Sequence, residues 1–232
     1  MENIINEREM GIGEIFSYGF SIFKEKFKTI AMIILIVYIP INILLEMVSS
    51  MIITENLFRT YSTLVDLLEL LFGILATMSI TYVVYGYIYG EDIKYYGALE
   101  KSFSRWGAGI GTGIIRGIIL FILFLALIIP GIIFGIYYTF MAQAIILKDI
   151  GGKDALDYSR ETVKGSWGKV FGLSVLSGII GIIVSLPLLI LPENFIINVL
   201  SSTIIDIFLA FIVVVMTVAF INLDIIKDKE TL

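Results

Sequence analysis

Hydrophobic runs of membrane length alternate with short polar segments along nearly the whole chain. A hydrocarbon core of ~30 Å needs about 20 helical residues. Stretches 29–49, 66–90, 108–129, 131–148, 169–190 and 196–223 meet that requirement. The third and fourth share LIIPGIIFG with no polar loop between them. Pro130 removes a backbone donor and Gly131 relaxes the backbone, so the pattern predicts a tight helical hairpin there. Six separate spans exceed what one soluble core of this chain length would hide. The fold class is therefore all-α, a polytopic membrane helix bundle with six transmembrane helices.

Each pair of spans follows a mixed polar–apolar segment: GEIFSYGFSIFKEKFKTI, YYGALEKSFSRWG and DALDYSRETVKGSWGKV. The first aligns without gaps on the third, placing Tyr18 with Tyr158, Lys24 with Lys164 and Phe27 with Trp167. The second and third share Ala98-Leu99 with Ala155-Leu156, and Trp106 with Trp167. Pro130 lies 24 residues after Trp106 and Pro192 lies 25 after Trp167, whereas Pro40 comes earlier after Phe27. We read three copies of an amphipathic helix plus a transmembrane hairpin, about 11–90, 91–148 and 149–223, within a single integral membrane domain over 1–232.

The third polar segment gathers Asp, Tyr, Ser, Arg, Glu and Lys within a few residues, as an active site would. On a helix these groups separate. Asp157, Arg160, Glu161 and Lys164 share one face, while Leu156, Ser159, Val163, Trp167 and Val170 share the opposite one. Asp154 is placed as an N-cap and Gly165 as a stop. This is the pattern of an interfacial helix, charged face to water and Trp167 at headgroup level. The charged face is a docking surface for a partner. A catalytic reading would need Lys164 beside Ser159 or Tyr158, and the wheel puts Ser159 and Lys164 apart.

Composition narrows the chemistry. Only 16% of residues are charged, and there is neither cysteine nor histidine, which removes thiol catalysis, the commonest acid–base group and the commonest transition-metal ligand. The expectation is a non-enzymatic protein with no cofactor and no metal. A net charge of −5 argues against nucleic acid as a partner. The start, MENIINEREM, lacks the basic-then-apolar pattern of a cleaved signal peptide, so the first span is expected to be retained.

Orientation follows the lysines and arginines. With six spans, 14 of them fall on one side and only Arg59 on the other, with Arg116 inside a span. Both termini and the three amphipathic helices are expected to be cytoplasmic. The longest outer loop is expected at about 50–65.

Ionisable groups at membrane depth are functional candidates. Asn198, Ser202 and Asp206, spaced by four, form a polar stripe on the sixth span that should face the bundle. Arg116 lies about two turns into the third span, where it either snorkels to the interface or pairs with Asp206 and joins spans three and six. A proton or ion relay is the alternative. Glu46, Glu55, Asp66, Glu69 and Glu193 make the outer side acidic, read as a solvated rim, with Asp66 and Glu69 suited to the first turn of a helix. Gly109 and Gly113 have G-x-x-x-G spacing, read as packing within the chain.

The stretch IIPGIIFGIYYTFMAQAIILKDIGGKDALDYSRETVKGSWGKVFGL carries Pro130-Gly131, Lys148-Asp149, Gly151-Gly152, Ala155-Leu156, Ser159, Lys164-Gly165 and Trp167. In this it resembles the membrane domain found fused to some prokaryotic glycerophosphoryl diester phosphodiesterases, and its stand-alone relatives. The resemblance implies a prokaryotic plasma-membrane module. The catalytic barrel of the fused enzymes has no counterpart here, so their activity does not carry over.

The functional expectation is a membrane module associated with transport or export, or a scaffold. The alternatives are self-immunity against a membrane-active peptide or toxin, and an accessory subunit of a membrane enzyme. Expected partners are the lipid bilayer and a second copy or another membrane or cytoplasmic protein.

Overall fold

The computed structural model describes residues 5, 8–49, 51, 55–192 and 194–230. No strand occurs among them. The helices are α1 (Ile12–Glu25), α2 (Phe27–Ser49), α3 (Glu55–Leu68), α4 (Ile74–Ile88), α5 (Tyr95–Ser104), α6 (Trp106–Ala126), α7 (Ile128–Tyr137), α8 (Met141–Lys148), α9 (Lys153–Val163), α10 (Trp167–Ser185) and α11 (Phe195–Glu230). Six helical stretches are long and apolar enough to cross a membrane: Phe27–Ser49, Phe58–Ile88, Trp106–Ala126, Ile128–Lys148, Trp167–Leu188 and Phe195–Lys229. The protein is a multi-pass, all-α membrane protein.

Two boundaries differ from the sequence reading. The segment expected as an outer loop at 50–65 is helical from Glu55 onward, and α3 runs through one π turn, Glu69–Gly73, into α4. Residues 55–72 contain no glycine or proline, so nothing stops the helix. The last helix runs on to Glu230 for the same reason; its 36 residues span ~54 Å, well beyond the hydrocarbon. The hairpin between spans three and four turns at Leu127, whose backbone is extended (φ −161°, ψ 137°). Pro130 then falls in the first turn of α7, where its missing N–H has no partner to lose.

The second span of each pair lies inside. Helix α4 packs against both α8 and α11. Met78, Ile80, Val83 and Val84 of α4, Ile145 of α8, and Val214, Val218 and Phe220 of α11 are almost wholly buried. Their polar neighbours are bonded across the core: Thr81 and Thr217 hydroxyls lie 3.2 Å apart, and Thr217 donates to the Val213 carbonyl at 2.8 Å. Helices α6 and α10 lie outside, presenting Phe121, Leu125, Ile182 and Ile183 outward, as suits contact with lipid tails.

The short helices α1, α5 and α9 occupy one end of the bundle. Each packs on an inner span: α1 on α11, α5 on α4, α9 on α8. The aligned positions Ile15, Ala98 and Ala155 are all fully buried, and so are Ser102 and Ser159, with Gly19 buried at the matching place in α1. A Cβ there would lie 3.2 Å from the Val215 Cα on α11, so α1 and α11 would have to shift by a few tenths of an ångström to admit it. Trp106 donates its indole N–H to the Leu71 carbonyl, and Trp167 does the same to Ile133 at 3.2 Å. Each inner span also closes on Asp-Ile: Asp92-Ile93, Asp149-Ile150 and Asp224-Ile225. Asp92 binds Lys26 at 2.7 Å and Asp149 approaches Arg105 at 3.3 Å, the two cations standing immediately before Phe27 and Trp106. Asp224 departs from this scheme, binding Lys148 at 2.6 Å and the Tyr158 hydroxyl at 2.5 Å. Burial and the Asp224 hydrogen bond push the Tyr158 phenol up to about 12.

The first described residues pack on the end of α11. The Asn222 amide accepts from the Met10 N–H at 2.8 Å and donates to the Ile5 and Arg8 carbonyls, both at 2.9 Å. Residue 5 and the end of α11 therefore share the end of the bundle that holds α1, α5 and α9.

Ser159 has a structural task. Span four breaks between α7 and α8, freeing backbone groups that a membrane interior leaves unsatisfied. The Ser159 hydroxyl donates to the Tyr137 carbonyl at 2.7 Å and accepts from the Phe140 N–H at 3.0 Å, closing the break. Asp154, expected as the N-cap of α9, lies inside its first turn; Gly152 holds the cap position. Gly165, at φ +92°, ends that stretch as expected, in a conformation open to glycine.

Candidate functional site

Helices α2 and α11 run antiparallel and are joined by polar side chains in the half of the bundle away from α1, α5 and α9. Asn42 and Glu46 stand four apart on α2, and Asn198, Ser202 and Asp206 stand four apart on α11. The spacing puts each set on one helical face. The Asn42 amide donates to Asp206 Oδ2 at 2.8 Å and to the Thr203 hydroxyl at 3.3 Å, and Thr203 donates to the Val199 carbonyl at 2.8 Å. Nearer the outer end, Asn198 donates to Glu46 Oε1 at 2.9 Å.

Beside this ladder lies a cavity of about 230 Å³ lined by Asn42, Ser202 and Asp206 together with Tyr38 and Glu69, and walled by apolar side chains such as Ile41, Leu45 and Ile205. Its far side is formed by α3, which packs little against α11, and the cavity is open on one side. Ser202 and Glu69 are exposed toward this opening and Asp206 is half-buried. Glu69 is the first residue of the π turn, a distortion that often accompanies functional sites because it re-aims a side chain. The Tyr38 hydroxyl approaches Glu69 Oε1 at 3.4 Å. Among the described residues no lysine or arginine forms a salt bridge with Glu46, Glu69 or Asp206.

The sequence stripe Asn198–Ser202–Asp206 thus faces α2, as its spacing implied. The pairing of Asp206 with Arg116 is corrected: Asp206 is bound by Asn42, and α6 shares no packed face with α11. Arg116 stays in α6 with its Nε buried and without a hydrogen-bond partner. Glu69 is also corrected. It does not fall in the first turn of its helix, because the continuous helix Phe58–Ile88 begins eleven residues before it. The side chain of Glu55, and Glu193, lie outside the described residues.

On α9, the four docking candidates are all exposed, but their charges are engaged locally. Asp157 lies 3.5 Å from Lys153 and Glu161 lies 3.6 Å from Lys164. Arg160 stands over the rings of Phe134 and Tyr137 at 5.6 and 5.8 Å from their centroids.

Asn42 and Thr203 of the ladder and Tyr38 of the cavity escaped the sequence reading. Asn42 in an otherwise apolar span, four residues before Glu46, was the available signal; Tyr38 gave none, since a tyrosine in a span reads as packing. Chemically the cavity offers carboxylate, amide and phenol oxygens within apolar walls. No group of three or more His, Cys, Asp or Glu side chains among the described residues is arranged to hold a metal.

Comparison with curated proteins and with solved structures finds no match. A family model described as a domain of unknown function, DUF7847, matches residues 27–226, from the start of the first span almost to the end of the last. The match carries no link to the phosphodiesterase-associated membrane domain. With nearly all of its helical bundle matched, the chain belongs to the DUF7847 family.

Proposed function

We propose that the protein is a non-enzymatic transport or export module of a cell membrane, and that its substrate site is the cavity between α2, α3 and α11. One observation carries the reading: Glu69 and Asp206 line one cavity within membrane-spanning helices, and among the described residues no basic side chain forms a salt bridge with either. Uncompensated charge at that depth is costly, so retaining two carboxylates there calls for a cation that comes and goes.

The walls specify the rest of the substrate. Apolar side chains surround the carboxylates, a tyrosine ring stands among them, and the open side of the cavity gives sideways access from the membrane. These features favour a lipophilic cation, whose apolar body partitions into the bilayer while its charge seeks the carboxylates. The excess of lysine and arginine at the end carrying α1, α5 and α9 supports a cytoplasmic location for that end and both termini. The cavity then lies in the outer half of the membrane.

The test is uptake of tetraphenylphosphonium into vesicles reconstituted with the purified full chain. Asp206→Asn, which keeps the shape and hydrogen-bonding capacity of the side chain, is expected to abolish protein-dependent uptake. Uptake equal to that of the unmodified protein would remove the site.

A further inference from the structure

The junction of α1 and α2 carries a second surface that the cavity does not use. Phe20, Lys24, Phe27 and Lys28 are all exposed. The helix is interrupted at Lys26, but two i→i+4 bonds still span the α1–α2 bend, Lys26 N to Ile22 O at 2.8 Å and Ile30 N to Lys26 O at 3.0 Å. Spacings of four, seven and eight residues then put the two phenylalanines and two lysines on one face. Neither lysine has an ion-pair partner among the described residues, although Lys26 between them is bound to Asp92. The neighbouring carboxylate Glu25 sits on the flank and, like Asp92, makes no salt bridge to either.

The third copy of the pattern shows what a neutralised version looks like. There Lys164 occupies the place of Lys24 and is paired with Glu161. In the second copy the aligned position is Phe103, with no cation. Among the described residues, the first copy sets two lysines without an ion pair beside exposed aromatic rings, in a chain whose net charge is −5, whereas Arg160 of the third copy stands over the part-buried rings of Phe134 and Tyr137.

We infer that the Phe20–Lys24–Phe27–Lys28 face binds the headgroup phosphate of an anionic phospholipid from the leaflet at that end. Charge complementarity selects the headgroup: two ammonium groups one helical turn apart meet one phosphate diester. The rings select a lipid over a soluble anion, since Phe27 opens a membrane span and Phe20 lies two turns before it on the same face, at the boundary between headgroups and acyl chains. The inference is independent of the cavity.

The experiment uses the delipidated full-length protein in neutral detergent, with bound lipid counted by native mass spectrometry. Phosphatidylglycerol is expected to bind more tightly than phosphatidylcholine. Lys24→Gln combined with Lys28→Gln is expected to weaken phosphatidylglycerol binding by about thirtyfold, the effect of two lysines near an anionic surface, and to leave phosphatidylcholine unchanged. Lys153→Gln, also exposed, is the control and should change neither. Inorganic phosphate as competitor should not displace the lipid; full displacement would mean a free-phosphate site and overturn the assignment. Undiminished phosphatidylglycerol binding in the double variant, or an equal loss in the control, would also overturn it. Should the double variant fail to fold, the salt dependence of binding to the unmodified protein decides: binding that does not weaken with added salt contradicts a headgroup held by charge.

Discussion

Asn42 and Asp206 are joined by a 2.8 Å hydrogen bond between the first and last spans, although 164 residues separate them in the chain. The same amide reaches Thr203, so a single side chain on α2 satisfies two polar groups on α11. Replacing Asn42 by leucine leaves a membrane-embedded carboxylate without its donor. The variant is expected to lose about 1–2 kcal/mol of stability, the upper range for hydrogen bonds between membrane helices. Adding Asp206→Leu should recover part of that loss, because removing both partners is less costly than stranding one. A double-mutant cycle on unfolding in mild detergent checks this, and additive losses would mean that the two residues do not interact.

Ser159 makes a sharper case because it serves two backbone groups at once. Ser159→Ala removes the acceptor of the Phe140 N–H and the donor to the Tyr137 carbonyl, both at the break in span four. A loss of about 1–3 kcal/mol is expected for orphaned buried groups. Ser159→Cys should retain part of the stability. Thermal unfolding of the two variants side by side checks the order.

Gly19 tests the seating of α1 on α11. A Cβ there would meet Val215 at 3.0 Å on its side chain and 3.2 Å on its backbone, so the helices must separate to admit it. Gly19→Val is expected to destabilise by about 1–3 kcal/mol, the usual cost of overpacking. Gly13→Ala on the same helix faces open space and should be close to neutral.

The ion pair at Asp92 predicts a pH dependence. Hydrogen bonds from Lys26 and Lys94 hold the Asp92 carboxyl down at about 2, against ~3.9 for an unperturbed aspartate. A depressed folded value favours the folded state above the unfolded value, and the contribution disappears as pH falls through the folded one. The stability difference between the unmodified protein and Asp92→Asn should therefore be constant above about pH 5, fall steadily as pH drops toward 2, and vanish only below about pH 2. Because Asp92 is exposed, the difference should also shrink with added salt. A difference that grows on acidification would contradict the pairing.

Orientation is testable because the chain contains no cysteine. A single cysteine at Ser62, in α3, should react with an impermeant maleimide added to intact cells. One at Lys153, the first residue of α9, should react only after permeabilisation. The reverse pattern would invert the assignment of sides.

The membrane architecture was legible because its signals are local. Length and apolarity mark a span wherever it occurs, and the Ala-Leu and Trp positions of the polar segments mark short helices. The cavity was half legible. Periodicity put Asn198, Ser202 and Asp206 on one face but gave no means of choosing which helix they meet. Charge suggested Arg116, whereas the antiparallel match of Asn42–Glu46 with Asn198–Asp206 decides it. Glu69 shows a related limit: whether a residue falls in the first turn of a helix depends on where the helix begins. The helix begins at Glu55, earlier than the hydropathy of that segment suggests. Ser159 shows the same limit, since its partners belong to a break in another helix that no feature of its own segment reveals.

Equilibrium binding of tetraphenylphosphonium to the purified protein tests the cavity most directly, with Asp206→Asn, Glu69→Gln and, as control, the exposed Asp66→Asn. Each of the first two should weaken binding at least tenfold, the change expected when a carboxylate facing a desolvated cation is removed at a cost above about 1.4 kcal/mol, while Asp66→Asn should bind as the unmodified protein does. Unaltered binding in both Asp206→Asn and Glu69→Gln would contradict the assignment of the cavity as the cation site.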